Sequence, residues 1–147
     1  MANSSDDARL IEWEKRQHVA ITGDPLWRLN CYREALYLVD AIGDDVRALG
    51  NSDARAPADE QLLTSVASIA ANIAEGYGRP SMPDRMRFLS YSLGSAREAI
   101  VWYKRLRPSE NIDRINDRLT RLARVRRMLI ALLTRLKERG GRKFEPW

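Results

Sequence analysis

The chain has 147 residues, of which 44% are hydrophobic and 31% charged, with a formal net charge of +5; that is one domain's worth, long enough to bury a real core. Its longest apolar run, MLIALL at 128–133, is far short of the ~20 residues that span a bilayer, and the acidic start MANSSDDARLIEWEK lacks the basic-then-apolar order of a signal peptide. The single cysteine, Cys31, excludes an internal disulfide, so the expected compartment is the cytoplasm.

Residues 1–23 are polar, with a helix-like piece around 8–19, and read as an N-terminal extension, partly helical or disordered. Asp24 then offers an N-cap with Pro25 at the first helical position. From there Leu29, Tyr32, Leu36, Val39 and Val46 recur at mostly three- and four-residue spacing as far as Gly50, which predicts a first long helix. NSDARAP at 51–57 is a cluster of turn formers and therefore a linker. A second helix over about 58–77 carries Leu62, Val66, Ile69 and Ile73 on one face. A third begins after GRP, where Ser81 and Asp84 form a capping-box-like pair; its stripe is Met86, Leu89, Leu93, Ala96, Ile100 and Tyr103. Pro108 stops it, and Ser109 or Asn111 starts a fourth helix with Ile115, Leu119, Leu122, Leu129, Leu133 and Leu136, ending at the glycine pair 140–141. Strand alternation is nowhere sustained. The expected architecture is all-α, an antiparallel up-down four-helix bundle over 24–140 with a C-terminal tail at 141–147.

The charge is uneven. Residues 104–147 hold 14 basic and 5 acidic side chains, a net of +9, whereas residues 1–103 hold 11 and 15, a net of −4. On a helical wheel Arg114, Arg118, Arg121, Arg124, Arg135, Arg139 and Arg142 project within an arc of about 120°. Guanidinium groups match phosphate oxygens through a planar fork of donors, so this row is the candidate nucleic-acid-binding element. A solvated Arg-rich helix that binds nothing is the alternative. Arg126 falls where the fourth helix wants a Leu, so it is expected either to snorkel out along its stem or to have a carboxylate partner.

Two helices offer more apolar surface than a bundle needs. On the third, Phe88, Tyr91, Ser95 and Trp102 lie opposite the core stripe, within about 60° of one another. On the fourth, Val125, Met128 and Leu132 widen the stripe. Phe88, Tyr91, Trp102, Val125, Met128 and Leu132 are therefore expected at a subunit interface of a homo-oligomer.

The stretch ANIAEGYGR at 71–79 sets a polar line beside the apolar face of the second helix. Its glycines read as a helix stop, with Gly76 or Gly78 in a left-handed C-cap. Glu75 near that end opposes the helix dipole and calls for a cation such as Arg79 or Arg87. Asn72, Glu75, Arg79, Arg87 and Glu98 are expected to form a polar network fixing the corner between the second and third helices or a subunit contact; direct contact with a ligand or RNA is the alternative. Gly94, with Ser92, Ser95 and Ala96, makes a small-residue patch where another backbone could approach.

These residues carry a resemblance. NIAEGYGR, followed by RFLSYSLGSAREA at 87–99, resembles the bacterial four-helix-bundle family encoded in intervening sequences of large-subunit ribosomal RNA genes. The hallmark is the Asn-Ile-Ala-Glu-Gly segment at the end of the second helix, then Phe88-Leu89, Gly94-Ser95 and Glu98 on the third. The similarity covers about 25–138, with 66–99 the specific block; helices one and four match in pattern only. A more distant cousin is the accessory protein of diversity-generating retroelements, which works beside a reverse transcriptase. The resemblance implies a homopentamer of four-helix bundles without established catalysis, binding RNA or a partner protein. The N-terminal extension and the Arg density of the fourth helix depart from the family pattern.

No enzyme chemistry is evident in the residues. The only histidine, His18, lies outside the predicted bundle, and there is no Glu-x-x-His pair, Cys–His pair, phosphate loop or metal-ligand cluster. Glu75 with Glu98 is the one carboxylate pair to name. The expectation is a non-enzyme without metal or cofactor, a homo-oligomer binding structured RNA through the Arg row. The alternative is an oligomeric scaffold or accessory protein for a protein partner such as a reverse transcriptase.

Overall fold

The computed structural model describes residues 4–49, 56–105 and 112–140. The linker at 51–55, Pro108 with the caps expected at Ser109 or Asn111, Arg142 and the tail at 141–147 lie outside the described residues. The described chain is all-α, without a strand. Two short helices, α1 (Ser4–Glu14) and α2 (Val19–Thr22), and a 3-10 turn over Pro25–Arg28 precede four long ones: α3 (Asn30–Leu49), α4 (Ala56–Gly78), α5 (Met82–Arg105) and α6 (Ile112–Arg139). The long helices close a ring in which α4 packs on α3 and α5, and α6 packs on α5 and α3.

Periodicity explains most of the core. Leu62, Val66, Ile69 and Ile73 of α4 are fully buried, as are Leu89, Ala96 and Tyr103 of α5 and Ile115, Leu122, Leu129 and Leu136 of α6. Each fully buried aliphatic side chain contributes about 1.5–3 kcal/mol of transfer free energy. On α3 the phase differs from the stripe read in sequence. Cys31, Ala35, Leu38 and Ile42 face inward, while Leu29, Tyr32, Leu36, Val39 and Val46 flank the core half-buried.

Three further expectations need correction. Asp24 caps the 3-10 turn rather than a long helix: its Oδ1 accepts from the Leu26 N–H at 2.8 Å, and Leu29 is extended (φ −80°, ψ 112°), so α3 starts afresh at Asn30. Neither Gly76 nor Gly78 is left-handed; α4 includes Gly76 and stops at Gly78, so the helix ends at the expected glycines without a left-handed cap. Gly76 is instead where α5 approaches α4: a Cβ there would lie 3.1 Å from the Phe88 Cβ and 3.2 Å from the Arg85 carbonyl oxygen. The same seam carries a buried hydrogen bond, Ser92 Oγ donating to the Ile69 carbonyl at 2.8 Å. The third correction is that part of the N-terminal extension is packed. Trp13 of α1 is buried against α3, its indole N–H donating to Asp40 Oδ2 at 2.7 Å, its ring stacked on Trp27 and edge-on to Tyr37. Glu14 pairs with Arg33 at 2.9 Å beside it. His18 serves locally as a cap, its Nδ1 accepting from the Ala20 N–H.

The capping pair on α5 is as expected, with Ser81 Oγ accepting from the Asp84 N–H at 3.3 Å and hydrogen-bonded to the Asp84 carboxylate. No helix among the described residues is long and apolar enough to cross a membrane.

Candidate functional site

The row of arginines on α6 divides in two. At its start, Arg118 and Arg121 point into the bundle, and Arg121 is 1% exposed. Burying a guanidinium is tolerable only if its charge and donors are matched, and α3 supplies the match. Arg118 donates to both Asp45 oxygens at 2.8 and 3.1 Å and also reaches Asp117. Arg121 pairs with Glu34 at 3.1 Å and with Asp117 at 3.3 Å, and Arg124 closes on the other Glu34 oxygen. Tyr103 of α5 donates its hydroxyl to Asp45 at 2.7 Å. Tyr37 lies beneath the Arg121 guanidinium, 4.4 Å from ring centroid to carbon, with Arg118 at 5.8 Å.

The electrostatics follow from this geometry. Burial works against the charged forms of Arg118 and Arg121. The carboxylates more than offset it, Asp45 for Arg118 and Asp117 with Glu34 for Arg121, so both pKa values stand above the ordinary arginine value. Burial, then the Asp45 charge, raises Tyr103 far above the usual phenol range. This layer ties α3, α5 and α6 together.

Arg118, Arg121 and Arg124 are therefore not available as an outward phosphate-binding row, a correction of the expectation drawn from the wheel. Arg114 is exposed and leans toward Asp45, 3.9 Å away. Arg135 and Arg139 face solvent, joined by Arg127 and Lys137, which the wheel left out. None of these four has an ion-pair partner among the described residues. Arg126 is half-buried and does not occupy a core position, which Val125 takes.

The expected interface residues also divide. Val125 and Leu132 belong to the bundle core and Met128 packs against it half-buried, so most of the apolar face expected on α6 lies inside this fold. Trp102 is half-buried against the core, with its indole N–H on Glu98 at 3.3 Å. Phe88 is half-buried and Tyr91 53% exposed, the two rings edge-to-face at 5.8 Å. Val101, 60% exposed, and the open Gly94 extend this outer face of α5.

The predicted polar network is smaller than expected. Glu75 and Arg79 pair directly, and Arg79 stands 4.8 Å over Phe88, with Arg87 at 5.5 Å from the same ring and paired to Asp84. Arg85, buried at this corner, donates to the Arg79 carbonyl. Asn72 stays outside the cluster, donating to the Ser68 carbonyl of its own helix at 2.8 Å, and Glu98 serves Trp102 instead.

The residues that sequence reasoning missed are Glu34 and Asp45. Their signal was present: each lies three residues after a core position, Cys31 and Ile42, where the periodicity calls for an apolar side chain. Among the described residues no three His, Cys, Asp or Glu side chains are placed to hold a metal ion.

The family model of the 23S rRNA-intervening sequence protein matches residues 28–131. The chain belongs to this family. None of the curated proteins matches it. Among solved structures, the chain is similar to a protein of unknown function from the S23 ribosomal protein family of Bacteroides thetaiotaomicron, with a TM-score of 0.62 and 23% identity over 71% of this chain and 95% of that one. That likeness concerns the fold. For this intervening-sequence family member, α1, α2 and nearly all of the 3-10 turn lie outside the family match, while the buried ionic layer lies within it.

Proposed function

We propose that this protein is a non-catalytic homo-oligomer, built from antiparallel four-helix bundles and working in the cytoplasm, that binds structured RNA through the second half of α6. The observation that carries the reading is the exposed quartet Arg127, Arg135, Lys137 and Arg139, without ion-pair partners among the described residues and accompanied on that stretch by one acid, Glu138. Cationic side chains that nothing neutralises internally are free to replace counterions along a phosphate backbone. Assembly multiplies the effect. The pentamer implied by the family resemblance would present twenty such groups, each weak alone and strong together.

The outer face of α5 supports self-association: Tyr91 and Val101 are exposed apolar side chains, and Gly94 leaves room for a second backbone. The same face supports the second reading, an oligomeric scaffold for a protein partner such as a reverse transcriptase, if it stays uncovered in the assembly.

Changing Arg127, Arg135, Lys137 and Arg139 together to Gln should weaken binding to structured RNA at least tenfold while the mass in light scattering stays unchanged. Full RNA affinity in that variant refutes the α6 surface. Gly94→Leu should lower the oligomer mass without loss of helix; an unchanged mass refutes the α5 contact.

A further inference from the structure

Where the amino end of α3 meets the second half of α6, a half-open groove of about 330 Å³ has Arg28 and Arg135 in its lining. Leu29 lines it from one side; Met128, Ala131 and Leu132 line it from the other. Among the described residues no carboxylate lines the groove and neither arginine has an ion-pair partner. That contrasts with Arg118, Arg121 and Arg124, at least about three turns before Arg135 on α6, each of which is paired. The first residues of the 20-residue helix α3 also lie in the groove, so the positive end of its dipole adds to the two cations.

We propose that this groove receives one unstacked nucleotide of a structured RNA, the base on the apolar floor and the phosphates before and after it on Arg28 and Arg135. The inference rests on the RNA-binding reading above and names what that surface takes. Volume and chemistry both argue for it. The groove is at the small end of the about 300–1,000 Å³ range of small-ligand pockets, too small for a helix. A lining that is largely apolar and carries two cations matches a flat apolar body with two negative charges, rather than a single carboxylate. Proteins read RNA mostly at splayed-out bases of this kind, and the Met128 thioether is a soft surface for an aromatic ring.

Ala131 is exposed and lines the groove without belonging to the core. Ala131→Trp therefore fills the groove, adds no charge and leaves the bundle intact by circular dichroism. This variant should bind structured ribosomal RNA at least fivefold more weakly at fixed salt, with an unchanged salt slope. Arg28→Gln should lower both the affinity and the slope, the latter by about one ion. RNA carrying 4-thiouridine at unpaired positions should photo-cross-link to peptides containing residues 28–31 or 128–135. Wild-type affinity in Ala131→Trp, or cross-links confined to other segments, overturns the groove and leaves the RNA-binding surface standing. Absence of RNA binding by the unaltered protein removes the function reading itself, and this inference with it. Displacement of RNA from the groove by an acidic peptide of equal charge, at equal or lower concentration, assigns the groove to a protein partner and overturns the nucleotide.

Discussion

Replacing Asp45 by Ala removes one carboxylate that holds three donors from two other helices: the Tyr103 hydroxyl at 2.7 Å and the Arg118 nitrogens at 2.8 and 3.1 Å. Arg118 is 8% exposed and Tyr103 fully buried, so water cannot replace the lost acceptor without opening the α3–α6 seam. Hydrogen bonds to a charged group contribute about 1.5–3 kcal/mol each, and breaking a buried ion pair from one side costs about 3–5 kcal/mol in total. Arg118 keeps Asp117 as a partner, which places the expected loss at the lower end, about 3 kcal/mol. For a chain of this length that lowers Tm by roughly 10 °C. The assay is thermal denaturation by circular dichroism at one protomer concentration, beside Asp45→Ala combined with Arg118→Met and Tyr103→Phe. The triple variant should recover most of the loss, because removing both sides of a buried pair is often neutral. A loss below about 1 kcal/mol for Asp45→Ala refutes the claim that the layer is buried and coupled.

Gly76→Ala should cost about 1–2 kcal/mol, since the new Cβ meets the Arg85 backbone at 3.2 Å. Gly78→Ala, with nothing within 4 Å, should gain up to about 1 kcal/mol from helix propensity; equal effects in urea melts would sink the close-approach argument. Burial pushes the Cys31 thiol from 9.0 up to about 11. The folded state therefore keeps its full stability below about pH 9 and loses part of it as pH rises through 11. Iodoacetamide should label native Cys31 far more slowly at pH 8 than the urea-unfolded chain, and equal rates would contradict this. Trp13→Ala removes the anchor of α1, so amide exchange should speed up over α1 while α3–α6 keep their protection; unchanged exchange in α1 would show that Trp13 does not hold it.

The long helices were legible because three of them follow their apolar period: every core residue named for α4 is buried, as are half of those for α5 and most of those for α6, the rest packing against the core half-buried. The α3 stripe was misphased because Glu34 and Asp45 occupy inward positions and half-buried Leu29, Leu36 and Val39 mimic a face beside them. Those two acids in apolar positions on α3 also misled the reading of α6. An arginine looks like surface until its buried carboxylate is known, and the partners lie 73 to 90 residues away in sequence. Val125 and Leu132 suffered the reverse error. They read as a second face only because Arg118 and Arg121 fill part of the inward arc. Gly76 resembled a cap for want of a signal, since a glycine near a helix end and a glycine beneath a crossing helix are identical in sequence. Trp13, isolated in a polar segment, gave no periodic pattern; Trp27, Tyr37 and Asp40 become its partners only after α3 has formed.

The most direct measurement is fluorescence anisotropy of the unaltered protein titrated into structured ribosomal RNA across a salt series. Four cations on α6 without ion-pair partners among the described residues predict tight binding whose log affinity falls with log salt at a slope of about −3 or steeper. No binding at low salt contradicts the account and transfers the outer face of α5 and the basic end of α6 to a protein partner.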